Sequence, residues 1–490
     1  MILTLGRGVV VHAASTNEAS RALSLQECIR IALEHNLDVK VARFEPEIAR
    51  HNVSAAYGVY EPTFEIAGTH SYNASPGGID EQNRPFPGTT TEGDAYRAGI
   101  TGFLPTGLTV DLGADLAGRE GLGPSGPFEN ADASASIQMR QPLLKNFWID
   151  SARLTIQVNK KQLQISEQTL RGQIMNVLTA VQLAYYDLLL ARERIKVQEQ
   201  ALQLAERLVK ETKRRVGVGT VARLDEKQAE SQVSARQSEV YGAQGAFTAQ
   251  EYQLKNLLSD NFQQWDGIRI QPTEALSVVT NDFDLHQSWA RGLAQRPDLI
   301  QLKLDLERQG FVLKYQRNQI FPQLDLVGSY GQVGANRDYS GALEGVRKRD
   351  SPSYTLGAVL SIPVGGNRSA RANYRASKAE MNQSLVRLKQ LEQAIMVEIG
   401  IALEQARTRF AQVDATRQSR VFAKIALEAE EKKLDNGRTT SFVVLQLQRE
   451  LTTAQLAELA ALAEYNKALA QLALREGSAL ERTRLNLEVR

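Results

Sequence analysis

Apolar residues recur at helical spacing from Asn36 to Tyr60 and stop at Pro62, where the pattern changes to strict alternation. Phe64, Ile66, Gly68, His70 and Tyr72 then alternate with Thr63, Glu65, Ala67, Thr69 and Ser71, which predicts a strand with one apolar face. The same change follows Pro322, where Leu324, Leu326, Gly328 and Tyr330 oppose Gln323, Asp325, Val327 and Ser329. Alternation returns from Leu108 to Leu116, from Asp132 to Met139 and from Tyr354 to Ile362. Segments of about ten residues with this pattern fit the strands of a transmembrane barrel. A soluble sheet packed on helices would alternate in the same way.

Two much longer segments keep a helical period. From about Ala152 to Val216 and from about Ala370 to Leu434 there is no proline and almost no glycine. Helices of that size reach ~97 Å, longer than the core of a compact domain. In the first, Ile174, Leu178, Val181, Tyr185, Leu188, Ile195, Leu202 and Val209 predict a coiled-coil seam. Arg192, Glu199 and Glu206 lie on that seam, so its lower part is expected to face water or charge. Each long helix ends at a glycine-bearing turn, residues 216–220 and 435–439, and a returning helix follows, about 222–259 and 441–476. One returning helix and the helix before Pro62 or Pro322, stacked end to end, would roughly match one long helix.

These elements occur twice. At an offset of 260, Leu33 matches Leu293, Asp38 matches Asp298, Pro62 matches Pro322 and Gly68 matches Gly328. At an offset of 218, Ser151-Ala152-Arg153 recurs as Ser369-Ala370-Arg371 and Gly219 as Gly437. The chain is an internal duplication. The expected organisation is an export signal or tail at 1–23, repeat 1 at 24–262, a linker at 263–284, repeat 2 at 285–477 and a tail at 478–490. The offsets differ by 42 residues, 260 less 218, and the surplus lies between Tyr72 and Ser151. It holds an additional alternating pair around the turn Leu104-Pro105-Thr106-Gly107, so four strands are expected from the first half and two from the second.

Composition narrows the function. Basic and acidic residues nearly balance, 58 against 56, and are spread along the chain, which argues against a nucleic-acid partner. Cys28 is the only cysteine, so no intrachain disulfide or multi-thiolate metal site can form. No run of 18 apolar residues occurs, which leaves a β-barrel as the expected route across a bilayer. Residues 1–15 carry short apolar runs and a small-residue site at Val11-His12-Ala13-Ala14, readable as a weak export signal or a disordered tail. His12, His35, His51, His70 and His286 have no partner at metal-ligand spacing, and no P-loop or nucleophile-elbow motif occurs. No cofactor, metal or catalytic residue is expected.

The order and doubling of these pieces resemble the outer-membrane efflux protein family, the TolC-like channels of tripartite exporters and type I secretion systems. The resemblance runs from Leu25 to about Gly477. It rests on Leu25 through Leu37, Tyr60-Glu61-Pro62, Phe321-Pro322, Gln141-Pro142-Leu143-Leu144 and Ile362-Pro363-Val364-Gly365-Gly366. Gly219 with Asp225 and Ala229, and Tyr465-Asn466-Lys467-Ala468-Leu469, complete it.

The resemblance implies an α+β membrane protein. Antiparallel helical hairpins would form a coiled-coil tunnel in the periplasm, and strands would join a trimeric transmembrane barrel in the outer membrane. It implies a homotrimer, outer-membrane lipid, a periplasmic adaptor and an inner-membrane pump as partners. The adaptor-contact tips would be Gly217, Val218, Gly219, Thr220 and Val221, with Asn436, Gly437, Arg438, Thr439 and Thr440. The family often carries acids six and nine positions after the second-turn glycine. Val443 and Gln446 stand there instead, while Asp225 keeps the acid in the first half, and these three are the candidate tunnel-entrance constriction. Phe64, Ile66, Leu324, Leu326, Leu356 and Leu360 are expected to face lipid. Two strands per half is the family's usual pattern, so six per chain would raise a trimer from 12 to 18. The function expected is a passive exit duct and not an enzyme. The alternative is a coiled-coil scaffold with a soluble β cap, in which those apolar strand residues would be covered by protein.

Overall fold

The computed structural model describes residues 19–79, 81–123, 126–219, 222–278, 283–436 and 438–482. In chain order the first repeat contributes β1 (Ala19–Leu23), α1 (Leu25–His35), α2 (Leu37–Tyr57), β2 (Thr63–Ser75), a small hairpin of β3 (Gly78–Ile79) and β4 (Pro85–Phe86), β5 (Thr89–Phe103), β6 (Thr109–Gly123), β7 (Gly126–Pro142), α3 (Ser151–Gly217) and α4 (Arg223–Leu258). After β8 (Ile268–Pro272) come α5 (Leu285–Gln295), α6 (Pro297–Asn318), β9 (Gln323–Asn336), α7 (Tyr339–Lys348), β10 (Pro352–Ser361), α8 (Arg368–Asp435), α9 (Ser441–Arg475) and α10 (Ala479–Arg482). The two long helices have 67 and 68 residues, about 100 Å each. The chain divides into two compact units, one of Met1–Glu45, Glu167–Gln301 and Lys389–Arg490, the other of Pro46–Ser166 and Leu302–Leu388.

The first unit is helical. Ser24 and Glu27 form a capping box that starts α1. Asn36 ends it, accepting from the Asp38 and Val39 amides while its Nδ2 donates 3.0 Å to the Leu257 carbonyl at the end of α4. Lys40 Nζ and His35 Nδ1 meet Asp260 at 2.5 and 3.2 Å beside that corner. The second repeat builds the equivalent corner differently. Arg296, the counterpart of Asn36 at an offset of 260, pairs with Asp298 and Glu398, and Gly477 after α9 packs against its backbone.

The core of this unit joins Cys28, Ile29 and Leu33 of α1 to Ile174, Leu178, Val181, Tyr185 and Leu188 of α3, Leu254 and Leu258 of α4, and Ile270 of β8. α3 contains the single window, among described residues, apolar and long enough to cross a membrane, and most of that window is buried in this core. The seam expected from the heptads holds only this far. Ile195, Leu202 and Val209 are half-buried, while Ala201, Ala205, Leu208 and Thr212 are buried instead. The cause is a change of neighbour: Leu208 packs with Leu427 and Leu434 of α8 and Val444, Leu445 and Leu451 of α9. Glu199 and Glu206 are exposed, as their charges require.

Residues 19–23 and 268–272, placed by the sequence in a tail and a linker, form a parallel pair, Ala19 opposite Ile268 through Leu23 opposite Pro272. Five-residue strands are too short to show a period, and their partners lie far apart in the chain. Side chains strap this pair to the helices. Tyr185 Oη donates to the Leu23 carbonyl, Arg192 to the carbonyls of Pro272 and Glu274, and the Ile270 amide donates 2.7 Å to Glu251. Residues 479–482, expected in the terminal tail, form α10 with Ala479 buried.

The second unit is built on one antiparallel sheet in the order β10-β9-β7-β6-β5-β2. Four strands come from the first half and two from the second. The additional pair, β5 and β6, lies within the ladder: β2 pairs β5, β5 pairs β6 and β6 pairs β7. Their turn closes through Gly107, at φ +87°, with the Leu104 amide donating to the Leu108 carbonyl.

Candidate functional site

Register assigns every strand residue to a face, because directly opposed residues in an antiparallel pair project to the same side. One continuous row runs Tyr354, Tyr330, Ile137, Leu112, Ile100, Phe64 across all six strands. The rows beside it hold Leu356, Gly328, Met139 and Val110 on one side and Ala135, Ala114, Ala98 and Ile66 on the other. From the Leu324 row to the Gly334 row no paired residue on this face is charged. Those ten steps along the strand span about 33 Å, or about 25 Å at a tilt of ~40°, the height of a barrel's apolar band. Gln332 within it is buried and donates to the Tyr330 hydroxyl at 2.9 Å.

The candidate lipid-facing residues all fall on this face. Ile66 is 73% and Leu356 79% exposed in the single chain, and Phe64, Leu326 and Leu360 are exposed as well. Leu324 is half-buried. The opposite face is polar and small. Arg97 there bridges Asp111 and Asp115 at 3.4 and 3.9 Å, Thr101 donates to Asp111, and Ser134 to Asp115. Arg140 reaches the buried Asp325 at 2.5 Å. Within the belt charge is confined to one side, the division expected of a barrel wall between hydrocarbon and an aqueous lumen.

In the helical unit, Gly217 closes α3 and is exposed, as are Val218 and Gly219. Gly219 takes φ +79° and its amide donates to the Val216 carbonyl. At the other turn Asn436, Arg438 and Thr440 are exposed and Thr439 is half-buried, with the Arg438 amide donating to the Lys433 carbonyl at 2.9 Å. Thr220, Val221 and Gly437 lie outside the described residues. Asp225 is half-buried in the first turn of α4. Val443 is half-buried on α9, and Gln446 is exposed and donates to Glu450. Among the described residues no hydrogen bond or ion pair joins Asp225 to Val443 or Gln446.

Sequence reasoning missed the clamps between these helices. Lys213 of α3 meets Glu230 of α4 at 2.8 Å, and Arg215 of α3 donates to the Leu434 carbonyl of α8. Arg449 of α9 donates to Gln232 of α4. Lys213 and Lys227 pull the Glu230 carboxyl down to about 2. It also missed α7, although Asp338 as a cap, Ala342 and Val346 four apart, and a basic end at Arg347-Lys348 are a short-helix signature.

A two-faced sheet with an uncharged belt, carried with paired long helical hairpins, defines an outer-membrane channel protein. The sequence profile described as outer membrane efflux protein matches residues 28–259 and 290–477, one segment per repeat, and the chain belongs to that family. The outer membrane efflux protein BepC of Brucella suis biovar 1 is 24% identical over 326 residues, 66% of this chain and 67% of that protein. The pyoverdine export outer membrane protein OpmQ of Pseudomonas putida is 25% identical over 338 residues, 66% of this chain and 65% of that one. Among solved structures, the Campylobacter jejuni CmeC outer membrane channel superposes with a TM-score of 0.66 at 18% identity, covering 93% of this chain and 86% of its own. The open-state Neisseria gonorrhoeae MtrE channel gives 0.65 at 17%, covering 93% and 89%. The protein is an outer-membrane efflux channel with its helical part in the periplasm.

Proposed function

We propose that three copies of this chain close one shared barrel of 18 strands and form the exit duct of a tripartite exporter. The observation that carries this reading is the uncharged belt on one face of a six-stranded sheet whose edge strands, β2 and β10, have no partner on their outer sides among the described residues. Six strands alternate in direction, so β10 of one copy and β2 of the next meet antiparallel, and the ring closes without an edge. The bore at the membrane is then roughly half as wide again as that of a 12-stranded ring.

In this reading an inner-membrane pump delivers cargo through a periplasmic adaptor that docks on residues 217–221 and 436–440. Asp225, Val443 and Gln446, each present three times, line the entrance. The duct couples no energy and performs no chemistry. The exposure of Phe64, Leu326, Leu356 and Leu360 favours lipid contact over a soluble cap. Electron cryo-microscopy of the purified protein in lipid nanodiscs is expected to show a threefold ring of 18 strands. A water-soluble monomer, or a ring with those residues covered by protein, would sink the proposal.

A further inference from the structure

The turn from β9 to β10 is not a simple hairpin, because it contains α7, and α7 folds back over the uncharged face of the sheet. Ala342 is fully buried on Ala131 and Ala133, with Leu116 and Val346 beside them. The sheet is cut away to receive it. A side chain at Gly334 would lie 2.0 Å from the Ala342 carbonyl oxygen, and one at Gly118 would lie 2.1 Å from the Tyr339 hydroxyl. The helix is held at both ends. Asp338 accepts from the Gly341 amide and the Ser340 hydroxyl, and Arg349 stops the helix in the left-handed region at φ +59°.

Its level on the sheet is defined. It covers the last uncharged rows, where Gly334 pairs Ala133 and Leu116 follows. In the row beyond, Asp94 pairs His70, and Glu92, Glu120 and Glu129 come after it. Away from the sheet α7 presents Leu343, half exposed, together with Arg347, Lys348 and Arg349. Lys348 is tied to Glu344 at 2.9 Å, whereas Arg347 and Arg349 enter no ion pair with another described residue. The acids of β5, β6 and β7 gather at the opposite, Tyr339 end.

We propose that α7 is an interfacial helix on the lipid side of the barrel wall, with Leu343 at the top of the acyl chains and Arg347 and Arg349 holding anionic phosphate headgroups of the bilayer. A helix lying where an apolar band gives way to charge, with an apolar residue and cations turned outward, is built for that boundary. The proposal rests on the lipid-facing reading of the belt.

Cys28 is the only native cysteine and is buried, so Leu343→Cys and Leu356→Cys each accept a fluorophore at one site. The full-length protein, reconstituted in phosphatidylcholine with or without phosphatidylglycerol, is tested with lipids brominated high or low on the acyl chain. At position 343 shallow bromines should quench best, with brominated phosphatidylglycerol preferred by about fivefold for each cation. Adding Arg347→Gln and Arg349→Gln should abolish that preference. Position 356 should be quenched by deep bromines. Quenching at 356 but not at 343, or a preference that survives both arginine substitutions, overturns the role of α7 and leaves the channel reading intact. No quenching at either position overturns the lipid-facing reading itself.

Discussion

Cys28 has no exposed surface, and burial, with help from Glu27 and Glu274, pushes its thiol up to about 12. The thiolate is the reactive form, so at pH 8 a thiol reagent should label the native protein far more slowly than the unfolded one. Rapid labelling of folded protein would show that α1 opens. Asp260 behaves in the opposite sense. Hydrogen bonds from Lys40 and then His35 pull its carboxyl from 3.8 down to about 2. A carboxyl lowered on folding contributes stability that is complete above its unfolded value and disappears as the pH falls through the folded one. Asp260→Asn should therefore lower the melting temperature at pH 6, and the gap from the parent protein should close between about pH 4 and pH 2. A gap constant with pH would mean that the ion pairs at this corner contribute nothing. Neither property was legible beforehand. Cys28 could be read as buried from its helical surroundings, but the partners of Asp260, Lys40 of α2 and His35 of α1, lie 220 and 225 residues away in the chain, and no spacing announces them.

At the scale of the element, Glu251 of α4 ties β8 to the helices, since it accepts from both the buried Lys255, at 3.1 Å, and the Ile270 amide. Glu251→Ala leaves a buried ammonium and a buried amide without their acceptor, which should cost about 3–5 kcal/mol. Replacing both Glu251 and Lys255 by leucine should recover most of that loss, because the stranded charge goes with its partner. Denaturant unfolding of the helical unit measures both; equal losses in the single and double variants would contradict the account. β1 and β8 were not legible because each is five residues long and pairs across the whole first repeat. The long helices and the six sheet strands were, because their periods repeat for tens of residues or recur at a fixed offset. The lower seam of α3 was misread since a heptad count assumes one partner, and Leu208 turns toward α8 and α9 instead of toward α1 and α4. α7 has a readable cap and stop, yet only the register of the sheet reveals that it lies on the uncharged face.

At the scale of the molecule, the duplication made the architecture legible, and the 42-residue surplus between the two offsets marked where this chain departs from a plain repeat. The structure turns that surplus into β5 and β6, inserted between β2 and β7. An inserted pair of strands preserves both the direction and the facing of its neighbours, and so does its removal. β2 and β7 are already antiparallel to each other. Phe64 and Ile137 share one row, and Ile66 and Ala135 share the next. Joining Ser75 to Gly126 through a two-residue turn, with residues 76–125 deleted, should let β2 pair directly with β7 and keep the apolar belt on one side. The belt, the Ala131 and Ala133 part of the α7 seat, and both edge strands survive the deletion, whereas Leu116 and Gly118 beneath α7 leave with β6. The variant should still assemble in membranes as a trimer, now with 12 strands and a barrel about two-thirds as wide, and electron microscopy of the two proteins side by side measures the change. A trimer of unchanged diameter would mean that β5 and β6 stand outside the ring in the assembled channel, and the proposed 18-stranded wall would be wrong.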